Sequence, residues 1–212
     1  MDVVLRSLPR QFYDRPVVDV ARGLLGAVLE SALGGELVRV RLTEVEAYGG
    51  MADPASHAFR GPSARNRTMF GPPGRTYVYF TYGMHFCMNL VTGAAGTASA
   101  VLLRAGTVID GADVVARRRP GVASRDYARG PARLTRALNV DKAADGADVC
   151  ATDAPLRVLP GGEVADQMIR CGPRVGVSAA TDVPWRFWLH GEDSVSPYRP
   201  GGPRSRRGSR RV

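Results

Sequence analysis

Residues 44–89 read EVEAYGGMADPASHAFRGPSARNRTMFGPPGRTYVYFTYGMHFCMN. The first of these residues close an alternating apolar run, ELVRVRLTEVE (36–46), and the last form two short strands, about 76–81 and 85–91, that meet at Tyr82-Gly83. Between them, residues 49–75 are rich in Gly, Pro, Ser and Arg and too long for an ordinary connection, which marks a functional loop. Upstream, AVLES (27–31) pairs with 36–46 across Leu33-Gly34-Gly35 as another antiparallel hairpin. Strands and helices do not alternate regularly, so the fold class is α+β: a single domain, mainly antiparallel sheet surrounded by short helices.

The remaining elements follow from period and punctuation. Pro16 opens a helical pattern, VVDVARGLLG (17–26), with Val17, Val20, Ala21 and Leu24 on one face and Gly26 at its end. SAVLLRAG (99–106) reads as a strand, GADVVARRR (111–119) as a helix, and RGPARLTRALNV (129–140) as a short helix entered through Gly130-Pro131. RVGVSAA (174–180) and RFWLHG (186–191) read as two late strands. Within 36–46, period two puts Glu44 and Glu46 on the face buried by Val38, Val40 and Leu42, where a carboxylate is costly unless it is used.

At 212 residues the chain supports one sizeable core. Its formal charge of +9 suggests a polyanionic partner, yet six of those charges are Arg199, Arg204, Arg206, Arg207, Arg210 and Arg211, in an acid-free tail. Residues 1–198 are therefore read as the domain and 199–212 as a basic, disordered tail. Lys142 is the only lysine and lies in a charged segment, which argues against Schiff-base chemistry. Cys87, Cys150 and Cys171 form no CxxC pair, against both a disulfide framework and a zinc site. The N-terminal segment carries charges where a signal peptide is apolar, and no apolar run reaches about 18 residues. The expectation is a soluble protein, cytoplasmic and nucleoid-associated in a bacterium or nuclear in a eukaryote.

Taken together, EVEAYGG, the Ala55-Ser56-His57 that follows, the run ARNRTMFGPPGRTYVYFTYGMHFCMN, VLLRAG, RGPARLTRAL and RVGV resemble the alkyladenine (3-methyladenine) DNA glycosylase family, over about Phe12 to His190. The resemblance implies a monofunctional enzyme that flips 3-methyladenine, 7-methylguanine, hypoxanthine or ethenoadenine out of duplex DNA. It also implies hydrolysis of the N-glycosidic bond without metal, cofactor, covalent intermediate or abasic-site lyase activity. The implied partner is double-stranded DNA bearing a damaged purine, met by a monomer and without a membrane.

Residue by residue, Glu46 matches the family's water-activating base, a task that needs a partly desolvated yet ionised carboxylate. Arg104 and the backbone at Val175 resemble the groups that help to hold that water. Tyr48, His57 and Tyr79 resemble the walls of the base pocket, where aromatic faces favour electron-poor and cationic purines. Asn89 resembles a pocket-floor residue that crowds the 2-amino group of guanine, and Tyr82 the wedge that fills the gap left by a flipped nucleotide. Arg60, Arg65, Arg67 and Arg75 flank the tyrosine run and suit phosphate contacts. His85, GEDSVSPYRP (191–200) and the long arginine tail depart from the family pattern. The rival reading is a non-catalytic nucleic-acid-binding module with a similar sheet, in which Glu46 is incidental.

Overall fold

A computed structural model describes residues 6–81 and 83–202 and is organised around one long strand, β2 (Val38–Tyr48). The other strands are β1 (Val28–Ser31), β3 (Thr76–Thr81), β4 (His85–Thr92), β5 (Ser99–Asp110), β6 (Leu156–Leu159), β7 (Ile169–Gly172) and β8 (Arg186–Leu189). They form one eight-stranded sheet in the order β3-β4-β5-β2-β1-β6, with β8 also pairing β2 and β7 pairing β8. All these pairings are antiparallel, as expected for the α+β class. The first half of β2 pairs with β1 on one side, and its second half, Glu44–Glu46, pairs with β8 there, while β5 runs along the other side.

Among the described residues, four short α-helices accompany the sheet: α1 (Arg10–Tyr13), α2 (Val17–Leu24), α3 (Ala112–Arg118) and α4 (Pro131–Ala137). Pro16 caps α2, Asp19 complements the helix dipole in its first turn, and the chain leaves through Leu25 into Gly26 at φ 83°. A side chain at Gly26 would also collide with Val164, so a turn at this position needs glycine. Helix α2 lays Val20, Ala21 and Leu24 against β2 and β5; burying Val20 and Leu24 stabilises by about 2 kcal/mol each, and Leu24→Ala would cost about 2–5 kcal/mol. Helix α4 packs Leu134, Ala137 and Leu138 on β4 and β5.

Two expectations need correction. The segment 174–180 is an irregular loop rather than a strand: its backbone groups bond to Glu46 and Arg199, and Ala180 has φ 48°. β6 and β7 are two further four-residue strands, beyond those expected from the sequence. The alternation in β2 breaks at a register irregularity between Leu42 and Val45. Thr43 and Glu44, though adjacent, both reach Ser194–Ser196, as the doubled side chains of a β-bulge do. Val45 and Ala47 then join Val38, Val40 and Leu42 in the apolar core. Glu44 and Glu46 thus sit on the face opposite that core, not on it.

Candidate active site

The register builds one cross-sheet row. Tyr77 opposes Asn89, Asn89 opposes Leu102, Leu102 opposes Glu46, and Glu46 opposes Arg186. Directly opposed residues share a face, so five strands present these side chains side by side. Tyr79 opposes Cys87 in a neighbouring row, and Arg104 projects from the β5 irregularity toward Glu44 and Glu46. This face floors a cavity of about 470 Å³. Tyr48, the Pro54–His57 turn, Arg65, Pro131 and Val175–Ser178 complete its lining. A cavity of about 380 Å³ beside Leu8, Leu25 and Pro160–Val164 holds no comparable convergence of buried polar groups.

Glu46 is fully buried directly behind three cavity-lining residues. Its Oε1 accepts the Val175 N–H at 2.7 Å; its Oε2 accepts the Tyr48 hydroxyl at 2.8 Å and lies 3.2 Å from Arg104 Nη1. Burial, then the Glu46 charge, holds the Tyr48 phenol well above its usual pKa, so it stays a donor. Burial alone would lower the Arg104 pKa, but Glu46 and Glu44 raise it, so its charge is permanent. A carboxylate oxygen accepts two hydrogen bonds readily; with Oε2 occupied twice, Oε1 is the oxygen that can take a further proton donor. That is the geometry of a positioned general base.

Glu44 differs from Glu46 in what surrounds it. Its Oε1 accepts from Arg104 Nε at 2.8 Å, Arg186 Nε at 2.7 Å and Ser196 Oγ at 2.9 Å, and its Oε2 accepts the Ser196 N–H at 2.7 Å. Neither carboxylate lines the cavity itself, but four donors saturate Glu44, whereas Glu46 Oε1 holds one. Parity leaves the two acids equivalent; their partners separate them.

The cavity walls are aromatic. The His57 and Tyr79 rings meet edge to face at 4.6 Å between centroids, and His57 Nδ1 lies 3.0 Å from the Tyr77 hydroxyl. His57 is exposed at the cavity mouth, yet its enclosed edge first and the Arg65 charge second lower its pKa to about 4, so the imidazole is neutral near pH 7. Burial also pushes the Tyr77 phenol up to about 12. Asn89 is buried and donates its amide to the Tyr77 carbonyl at 3.0 Å, which fixes its orientation on the floor.

The basic residues divide. Arg65 lies over the Tyr79 ring at 5.5 Å and lines the cavity, whereas Arg60 and Arg67 are exposed outside it. Arg75 is turned inward to the Gly146 carbonyl at 2.9 Å and to Asp148 at 3.6 Å. Tyr82 lies outside the described residues; beside its position, Phe80 and Met84 are exposed. Of the tail, residues 203–212 also lie outside the described residues, and Arg199 accepts the Gly176 N–H at 2.9 Å. Lys142 is exposed and bound to the Val78 carbonyl at 3.0 Å and Asp145 at 2.6 Å, away from the cavity lining.

Sequence reasoning missed several residues here. Tyr77 shares parity with Tyr79 in β3, a signal that period two offered. Asp53 and Arg174 form a buried two-point ion pair that ties the Gly50–His57 loop to the loop bearing Val175. Gly50, at φ 68°, opens the first loop where an added Cβ would strike the Thr97 carbonyl. Arg186 and Ser196 complete the Glu44 cluster and carried no local signal.

The family model described as Methylpurine-DNA glycosylase (MPG) matches residues 11–193. A protein of Streptomyces avermitilis is 54% identical over 203 residues, covering 94% of this chain and 95% of its own. One of Frankia casuarinae is 51% identical over 198 residues (89% and 92%), and one of Leifsonia xyli subsp. xyli is 48% identical over 207 residues (93% and 95%). All three are provisionally named 3-methyladenine DNA glycosylase.

Proposed function

The chain belongs to the methylpurine-DNA glycosylase family, and on that premise we propose that it releases damaged purines from duplex DNA by hydrolysis, with Glu46 as the base that activates water. The observation that carries this reading is Glu46 itself: a fully buried carboxylate, oriented by Tyr48, Val175 and Arg104, behind an aromatic cavity. Glu46 Oε1 takes a proton from water as the water oxygen bonds to the sugar C1′. The C1′–N bond breaks and its electron pair leaves with the base. Arg104 sets a fixed positive charge 3.2 Å from Glu46 Oε2, and the low dielectric around the pair strengthens their attraction.

Tyr48, His57 and Tyr79 sandwich the extruded purine, and a cationic methylated ring gains further attraction to the ring faces. Asn89 stands on the floor as the steric filter against guanine. Tyr82, which lies between β3 and β4 in the sequence, fills the gap in the duplex, while Arg60, Arg65 and Arg67 contact phosphates. Arg75, bound internally, contributes to the phosphate contacts only after leaving Asp148.

The experiment that tests this is release of free base from duplexes carrying 3-methyladenine, 7-methylguanine, hypoxanthine or ethenoadenine. The proposal expects release of at least the cationic methylpurines; binding to all four duplexes with no release supports the non-catalytic module instead.

A further inference from the structure

Four buried charges meet on one face of β2, β5 and β8: the acids Glu44 and Glu46 and the guanidiniums Arg104 and Arg186. Arg104 spans both acids, with Nε 2.8 Å from Glu44 Oε1 and Nη1 3.2 Å from Glu46 Oε2. By distance Glu44 claims the larger share of that cation. Arg186 Nε, however, lies 2.7 Å from the same Glu44 oxygen, and the Ser196 N–H and hydroxyl add two more donors to Glu44. Ser196 also locks the cluster: its carbonyl accepts from Arg186 Nη2 at 2.6 Å and its Oγ from Arg104 Nη2 at 3.2 Å.

We infer that Arg186, seated by Ser196, is a positioning residue that neutralises Glu44 so that the Arg104 charge remains available to Glu46, and that this charge balance sets the pH range in which Glu46 works as a base. The inference rests on the reading of Glu46 given above. The groups around Glu46 restrict the charges that matter. Tyr48 on β2, Tyr79 on β3 and Cys87 on β4 are kept protonated by burial, so they add none. Arg174 behind Tyr48 is paired with Asp53, and Arg65 stands over Tyr79 at the cavity wall. Glu44, Arg104 and Arg186 are the close charges, and Arg186 is the one that leaves the cluster neutral.

The test is the pH dependence of single-turnover 7-methylguanine release. This cationic base leaves as a neutral molecule and needs no proton, so the acid-side fall in rate reports the enzyme's base alone. Arg186→Gln leaves a net negative cluster and moves that limb to higher pH by about one unit; Glu44→Gln leaves it positive and moves the limb to lower pH by about as much. The double variant Glu44→Gln/Arg186→Gln restores neutrality while losing the hydrogen bonds, and its limb returns to the wild-type position. Arg186→Lys and Ser196→Ala keep every charge; they slow the reaction without moving the limb and remain informative if a charge-removing variant does not fold. Limbs that stay put, that shift in one direction for both single variants, or that move in Ser196→Ala overturn the inference. Full activity of Glu46→Gln in the same assay would instead overturn the assignment of the base, which separates the two failures.

Discussion

Asp53 and Arg174 face each other in a fully enclosed fork, Nη1 to Oδ2 at 2.5 Å and Nη2 to Oδ1 at 2.9 Å, and the residue after Arg174 supplies the N–H that Glu46 accepts. Arg174 also lies over the Tyr48 ring at 4.7 Å, so one guanidinium backs the cavity wall and steadies the loop that orients the base. Removing one partner of a buried pair leaves the other charge uncompensated, at about 3–5 kcal/mol. Asp53→Ala is therefore expected to lower the thermal midpoint by roughly 10 °C, at about 2–4 °C per kcal/mol for a chain of this size. Thermal unfolding by circular dichroism checks this, and an unchanged midpoint would show the pair to be energetically idle. Burial works to raise the Asp53 pKa, but Arg174 and the backbone donors lower it on balance. The stability from Asp53 is thus complete above the ordinary aspartate range and lost as pH falls through its depressed value.

His57 titrates out of its usual range. Its folded pKa of about 4 lies below the ordinary 6.5, so between those values the unfolded chain binds more protons and stability falls as pH falls. Stability from neutral His57 is complete above about pH 6.5 and declines toward pH 4. An NMR titration of the imidazole should find it neutral at pH 5.5; a midpoint near 6.5 would remove the desolvated contact with Tyr77 and Tyr79.

Asn89 is expected to discriminate rather than to catalyse. Asn89→Ser makes room on the floor, and the ratio of 7-methylguanine to hypoxanthine release should rise several-fold, with release of undamaged guanine becoming measurable. The substrate panel above, run on both proteins, checks it. Identical profiles would assign selectivity to the Tyr48, His57 and Tyr79 walls.

No strand cleavage or borohydride-trapped adduct is expected at the abasic product. Lys142, the only lysine, is bound to Asp145 and the Val78 carbonyl outside the cavity. Trapping that disappears in Lys142→Ala would overturn this placement.

What could be read in advance was local. The hairpins 27–46 and 76–91, helix α2 and its Pro16 and Gly26 boundaries follow from period and turn chemistry within a few residues of each position. What could not be read depends on distant partners. β6 is a strand because β1, more than a hundred residues earlier in the chain, offers it an edge. RVGVSAA alternates like a strand, but its backbone donors go to Glu46 and Arg199 rather than to a neighbouring strand. The bulge at Thr43–Glu44 turned the expected face of Glu46 over, and only tertiary pairing with β5 reveals it. Among the candidate residues, Glu46, Arg104, Val175, Tyr48, His57, Tyr79 and Asn89 converge on one cavity. The family motif pointed to them; composition alone could not have chosen Glu46 over Glu44.

The central claim rests on Glu46, and the most direct measurement is single-turnover release of 3-methyladenine from duplex DNA by Glu46→Gln, alongside its affinity for the same duplex. The amide keeps the size of the side chain but cannot take a proton from water. The account predicts a fall of about 10²-fold or more in rate with duplex binding retained. A Glu46→Gln protein that keeps more than about a tenth of the wild-type rate would contradict it and place the base elsewhere.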